Sequence, residues 1–200
     1  MTCSRSNSRR WFKLYCSAAL AMLLVPVIAG AQSRAWTLAT GDVRVTCPMS
    51  VGGSFDAKSS ALTGKLSVDP SSTVLAGELS VDLKTLDTGI SLRNQHMVEN
   101  YLEVSKGEGF ETATLSNINV GSLAASLDGQ KPFTARLRLH GVTQEVTGRA
   151  TLSSRGSSTR VDASFPLHIS DYAIAAPRYL GVGVKNDITV RVVFTANTAP

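Results

Sequence analysis

Leu75-Ala76-Gly77-Glu78-Leu79-Ser80-Val81-Asp82-Leu83-Lys84 alternates without a break. Leu75, Gly77, Leu79, Val81 and Leu83 share one face, and Ala76, Glu78, Ser80, Asp82 and Lys84 share the other. Successive side chains of a strand point to opposite faces. A period of two with one apolar and one polar set therefore predicts an antiparallel strand that is dry on one side and wet on the other.

The same period recurs on both sides of this stretch. Upstream, Val43, Val45 and Cys47 alternate with Asp42, Arg44 and Thr46, and Gly64, Leu66 and Val68 alternate with Lys65, Ser67 and Asp69. Downstream come Phe133/Ala135/Leu137/Leu139, Val146/Gly148/Ala150/Leu152, Val161/Ala163/Phe165/Leu167/Ile169 and Ile188/Val190/Val192/Phe194. Between Leu115 and Ile118 the parity slips, which predicts a bulge or a turn. Turn chemistry separates the runs at Asp69-Pro70-Ser71-Ser72, Asp128-Gly129-Gln130, His140-Gly141-Val142-Thr143 and Ser153 to Ser158.

One segment departs from the rule. Thr88 to Val104 lacks alternation and spaces Ile90, Met97, Tyr101 and Val104 as a helix does. Thr88 is placed to cap its start, and Gly107 lies just past its end. The expectation is an all-β, antiparallel domain of about eight strands with one short helix over one end or face. Closing the sheet into a barrel removes open edges, with a two-sheet sandwich as the alternative.

Small residues recur on the dry parity: Gly64, Gly77, Ala135, Gly148, Ala150 and Ala163. An eight-stranded barrel is wide enough either to be filled by side chains or to hold one small ligand. Small inward residues leave space for a cavity. They equally suit tight bends and close backbone contacts.

Of 200 residues, 43% are hydrophobic and 18% charged, as in a globular chain. The formal charge of +5 suggests an affinity for nucleic acid until the charges are located. Residues 1–31 hold Arg5, Arg9, Arg10 and Lys13 and no acid, leaving 16 basic against 15 acidic residues in the remainder. A nearly neutral remainder removes nucleic acid as a leading partner.

Residues 1–31 are built like a cleaved secretory signal. A basic start ends at Lys13, an apolar run spans Leu14 to Ala29, and Ala29-Gly30-Ala31 supplies a small-x-small cleavage site. The run is short for a membrane span and contains Pro26, so no stable membrane insertion is expected. Cleavage after Ala31 leaves a single domain over residues 32–200, exported to the periplasm. Ser8-Arg9-Arg10-Trp11-Phe12-Lys13 fits a twin-arginine motif as well as an ordinary basic start, so the route stays open. Cys3 and Cys16 leave with the signal, and Cys47 has no partner for an internal disulfide. Pairing between two copies in a homodimer is left open.

Catalytic signatures are thin. There is no G-x-S-x-G elbow, P-loop or H-E-x-x-H. His96, His140 and His168 are far apart in sequence, and His140 and His168 fall on the polar parity, where they are expected to face water. Cys47 lies on the apolar parity, where a free cysteine behaves as a small hydrophobe. A binding protein without cofactor or metal is expected in preference to an enzyme. An outer-membrane barrel would need aromatic girdles. Residues 32–200 carry nine aromatics with no paired belts.

Several motifs in order carry a family resemblance: Leu83-Lys84-Thr85-Leu86-Asp87-Thr88-Gly89, Leu92-Arg93-Asn94-Gln95-His96-Met97, Tyr101-Leu102-Glu103-Val104, Leu137-Arg138-Leu139-His140-Gly141-Val142-Thr143, and Ile169-Ser170-Asp171-Tyr172-Ala173-Ile174. Over about residues 36–194 the chain resembles the YceI-like polyisoprenoid-binding family. Asn94 stands where that family commonly has Asp, and Ala173 where it commonly has Gly. The resemblance implies an extended lipocalin-like barrel whose interior holds an isoprenoid or other amphiphilic lipid.

On that reading Leu79, Val81, Met97, Phe110, Leu137, Leu139, Phe165 and Tyr172 contact the lipid, while Arg93, His96 and Tyr101 meet a polar head at the mouth. The alternative for Arg93 and His96 is a structural tie between helix and barrel rim, since such ends need hydrogen bonds. A protein-interaction or stress-response barrel with a packed interior is the alternative function.

Overall fold

The computed structural model describes residues 33–69, 72–121, 128–179 and 182–198. Residues 1–31, expected to form a cleaved signal, lie outside them. Among the described residues eleven strands form: β1 (Arg34–Pro48), β2 (Ser54–Ser59), β3 (Leu62–Val68), β4 (Val74–Asp82), β5 (Thr112–Asn119), β6 (Gly129–Leu139), β7 (Val142–Arg155), β8 (Ser158–His168), β9 (Arg178–Tyr179), β10 (Val182–Gly183) and β11 (Asp187–Thr198).

The main sheet runs β11-β8-β7-β6-β5-β4-β3-β1-β2, and β11 also pairs with β1. That last pairing, from Trp36↔Thr198 to Thr46↔Thr189, closes an eight-stranded antiparallel barrel and sets aside the sandwich. On its other side β1 is shared. Arg34–Thr37 pairs with β3, while Val43–Pro48 pairs with β2, which thus lies beside one end of the barrel only.

Alternation within the strands becomes the inside and outside of the wall. In β4, Leu75, Leu79 and Val81 are buried, whereas Glu78 and Asp82 are exposed. Gly77 departs from its expected dry face. It is exposed, with φ of 105°, beside a register shift between Leu75 and Glu78. A Cβ on Gly77 would stand 2.1 Å from the Lys65 carbonyl oxygen, and one on Gly64 2.2 Å from that of Glu78. Only glycine permits this approach between β3 and β4. A Cβ on Gly148 would likewise meet the Ser164 carbonyl oxygen at 2.4 Å. These three glycines mark close backbone contacts, and none lines the large cavity described below. The parity slip near Leu115–Ile118 is a register shift between Ser116 and Asn119, with Asn117 at φ of 49°.

One turn expectation and one exposure expectation change. Asp128-Gly129-Gln130 is not a turn, because β6 already starts at Gly129, and Gly129 and Gln130 pair with Leu152 and Thr151. In the His140-Gly141 turn both residues have positive φ, 52° and 75°, as a two-residue hairpin between Leu139 and Val142 requires. The left-handed conformation takes His140 out of strand alternation. Its ring is buried, not solvent-facing as parity predicts. His168 does face water, beside Asp187.

One end of the barrel is packed solid. Trp36, Leu75, Ile118, Phe133, Leu152, Val161 and Phe194 are buried there, around a residual space of only about 40 Å³. Phe133 and Phe165 meet edge to face, with ring centroids 6.0 Å apart, an arrangement worth about 0.5–1.5 kcal/mol beyond the area it buries. The two-residue connection between β7 and β8 lies at this end. At the opposite end lie two long connections, between β4 and β5 and between β8 and β11.

The β4–β5 connection contains the expected helix, shorter than its spacing suggests. α1 (Ser91–His96) continues as a π-helical turn over Met97–Tyr101, and Glu103 at φ of 48° breaks it from a 3-10 turn over Val104–Lys106, which Gly107 ends. Ile90, not Thr88, precedes the first helical residue. Thr88 instead donates from its N–H and hydroxyl to Asn94 Oδ1, at 2.8 and 2.7 Å.

Candidate functional site

The unpacked end of the barrel contains a cavity of about 740 Å³, within the range of small-molecule sites. Val43 and Val45 of β1, Leu79 and Val81 of β4, Leu115 of β5, Leu137 and Leu139 of β6, and Val190 and Val192 of β11 form its walls. Each is the inward member of an alternating strand, so the same period that builds the barrel also makes the lining apolar. Ile90, Leu92, Arg93, His96, Met97, Asn100 and Tyr101 contribute from the helical segment. Pro177, Arg178, Val182 and Val184 contribute from the β9–β10 region. The cavity is an apolar vessel with its polar groups gathered at the covered end.

Nine of the eleven residues expected to contact a ligand line this cavity: Leu79, Val81, Arg93, His96, Met97, Tyr101, Leu137, Leu139 and Phe165. Phe110 and Tyr172 do not. Phe110 lies edge-on to the His140 ring at 4.7 Å between centroids. Tyr172 is 2% exposed and belongs to the core. Both sit in the strut that holds the covering segment to the barrel. His140 Nδ1 is 2.9 Å from the Tyr172 carbonyl oxygen, and its Nε2 is 3.0 Å from Glu103 Oε2. Aromatic character alone does not distinguish a strut from a lining.

Met49 just past β1, Phe55 of β2 and Val182 of β10 also line the cavity, and the sequence reading does not include them. Phe55 follows Gly52-Gly53-Ser54, where no alternation is long enough to signal a strand. Pairing through β1 brings it opposite Cys47.

Arg93 is half-buried, and its guanidinium carbon lies 4.2 Å from the centroid of Phe55. This cation–π contact joins the helix to β2. The contact supports the rim-tie reading, while Arg93's place in the lining leaves the guanidinium available to an anionic head. Cys47 also lines the cavity, and burial pushes its thiol up to about 11, with Asp56 adding to the effect and Arg93 opposing it. A thiol so shifted is a poor nucleophile at neutral pH.

The loop entering the helix is organised by one carboxylate and one amide. Asp87 Oδ1 accepts from Gly89 N–H at 2.8 Å and from Asn94 Nδ2 at 2.7 Å. These bonds, the Asn94 one foremost, hold the Asp87 carboxyl below the usual range. Backbone bonds between Asp87 and Lys58, both 2.8 Å, attach the loop to β2. Among the described residues no cluster of three His, Cys, Asp or Glu side chains is placed to hold a metal ion. No helix among them is long and apolar enough to cross a membrane.

Known structures share this architecture. A polyisoprenoid-binding domain from Saccharophagus degradans, implicated in plant cell wall breakdown, matches with a TM-score of 0.62 at 16% identity, over 82% of this chain and 98% of that one. BcnA from Burkholderia cenocepacia matches with a TM-score of 0.60 at 14% identity, over 78% of this chain and 96% of that one. A Campylobacter jejuni YceI protein matches with a TM-score of 0.50 at 14% identity, over 70% of this chain and 82% of that one. At these identities the likeness is one of fold. No curated protein matches the chain. The YceI-like domain, as a family, matches residues 36–196, almost the whole of the barrel, and the chain therefore belongs to the YceI-like family.

Proposed function

We propose that this protein is an exported, periplasmic carrier that holds one isoprenoid or similar amphiphilic lipid in its barrel, and that it is a binder without catalytic activity. The observation that carries the reading is the 740 Å³ apolar cavity beside a fully packed barrel end. A barrel folded only for stability has no reason to leave one half hollow, since unfilled space forfeits dispersion contacts. This favours the carrier over an interaction barrel with a packed interior.

Burying roughly 400 Å² of tail at about 25 cal/mol per Å² gives about 10 kcal/mol gross. Ordering and association offset much of this, leaving micromolar to nanomolar affinity. The arginines at the covered end suit an anionic or strongly polar head, and the walls suit a chain of any apolar kind. The alanine-flanked site at Ala29-Gly30-Ala31 supports export, with Gln32 as the first residue of the exported form.

The test is native mass spectrometry of protein purified without detergent, followed by solvent extraction. A co-purifying lipid of stoichiometry near one supports the carrier. A bare mass that also fails to take up added polyisoprenoid refutes it.

A further inference from the structure

Five large apolar side chains are well exposed among the described residues: Val51, Val74, Ile90, Leu92 and Val182. Val74 begins β4 at the packed end. The other four gather at the mouth of the cavity. Ile90, Leu92 and Val182 belong to its lining and yet are 49%, 62% and 40% exposed, so they run from the cavity out into solvent. Val51, 70% exposed, sits at the β1–β2 tip next to Ser50, which is fastened to β10. Ser50 N–H donates to the Gly183 carbonyl at 2.8 Å, and Gly183 N–H donates to Ser50 Oγ at 2.9 Å.

The charged residues of the lining itself are all basic. Arg93 and Arg178 belong to it, and no Asp or Glu does. Exposed apolar side chains interleaved with arginines match the boundary of an anionic bilayer, where apolar groups enter the acyl region and cations meet headgroups. Continuity with the cavity gives the patch a purpose. A lipid leaving a bilayer through this mouth would pass from one apolar medium to another without exposing its tail to water.

We propose that the open end of the barrel docks reversibly on anionic lipid bilayers, with Val51, Leu92 and Val182 entering the interface and Arg93 and Arg178 facing the headgroups. The inference rests on the reading of the cavity as a lipid site, and adds the surface from which the lipid is taken and to which it is returned. Neighbouring positions on a small rim give weak, salt-sensitive binding rather than insertion.

The test is flotation with vesicles of pure phosphatidylcholine and of phosphatidylcholine with phosphatidylglycerol, using protein recovered from cells that make the full chain. The expected result is binding to the phosphatidylglycerol vesicles that weakens with salt. Val51→Asp should weaken it tenfold or more, and Val51→Ser should weaken it less. Arg178→Gln should weaken it about fivefold. Val51 is outside the cavity lining, so the lipid extracted from both Val51 variants should match the parent protein. Lipid-loaded protein that ignores both vesicle types, or binds them equally well with Val51→Asp, would overturn docking and leave the carrier standing. Concentration-dependent dimerisation abolished by Val51→Asp, with no vesicle binding, would assign the patch to a second copy instead. Vesicle binding by protein that never holds lipid would retain the docking surface and remove the carrier.

Discussion

Replacing Arg93 by alanine separates its two roles. The side chain makes a cation–π contact with Phe55 at 4.2 Å and lines the cavity. At a half-exposed position such a contact is worth about 0.5–1 kcal/mol, so the urea-unfolding free energy of Arg93→Ala should fall by about that much. A charge-assisted hydrogen bond to an anionic head is worth about 1.5–3 kcal/mol. At about 1.4 kcal/mol per factor of ten, affinity for an isoprenyl phosphate should fall roughly ten- to hundredfold. Affinity for the matching free alcohol should change less than about threefold, because its tail contacts are untouched. Competition titrations with the two ligands, alongside urea curves, give all three quantities. Equal losses for both ligands, with a stability loss above about 2 kcal/mol, would refute a head-group role and leave Arg93 as a tie between helix and β2.

Three further substitutions test local readings. Asn94→Asp would set a second carboxylate 2.7 Å from Asp87 in place of the amide donor, and like charges so close raise one carboxyl's pKa. The variant should be destabilised at pH 7 and recover as pH falls through that raised value, when one acid takes a proton and donates. Melting curves across pH 4–8 check this, and a flat difference contradicts it. Ala173 holds φ of 56° at the end of the Ile169–Tyr172 turn, a conformation that costs an L-residue about 1–2 kcal/mol. Ala173→Gly should raise stability by up to about 1 kcal/mol after glycine's extra chain entropy is offset, and a loss on urea unfolding would refute the strain. The Tyr172 hydroxyl is buried without a hydrogen-bond partner, and burial pushes it up to about 12. Tyr172→Phe should therefore be neutral or stabilising by about 1 kcal/mol in thermal unfolding, whereas a loss of 1 kcal/mol or more would reveal a partner.

What could be read in the sequence was whatever strand alternation encodes. Leu79, Val81, Leu137, Leu139 and Phe165 follow from period two, and they line the cavity because closure points one parity inward. The slip near Leu115 also follows, because a bulge shifts parity in the chain itself. What alternation cannot encode is tertiary. His140 sits on polar parity and is buried, because two left-handed residues turn it beneath Glu103 and Phe110. Gly77 sits on apolar parity and is exposed, because β3 and β4 approach too closely there for a side chain. None of the small dry-parity residues lines the cavity: Gly64, Gly77 and Gly148 mark close backbone contacts, and the space lies elsewhere, under the helical segment. Phe55 and Val182 reach the mouth from short strands paired with Cys47 and Tyr179, and two- to six-residue strands carry too few positions to declare a period.

On the carrier proposal, an apolar chain occupies the space between Leu115, Val190 and Met97. A photoactivatable polyisoprenoid, incubated with the protein, irradiated and mapped by peptide mass spectrometry, tests it most directly. Cross-links should fall on peptides carrying Met97, Leu115 and Val190, compete with unlabelled polyisoprenoid, and spare the packed end around Phe133 and Phe194. Labelling spread over outward-facing residues, or labelling that unlabelled ligand does not displace, would contradict a lipid held inside the barrel.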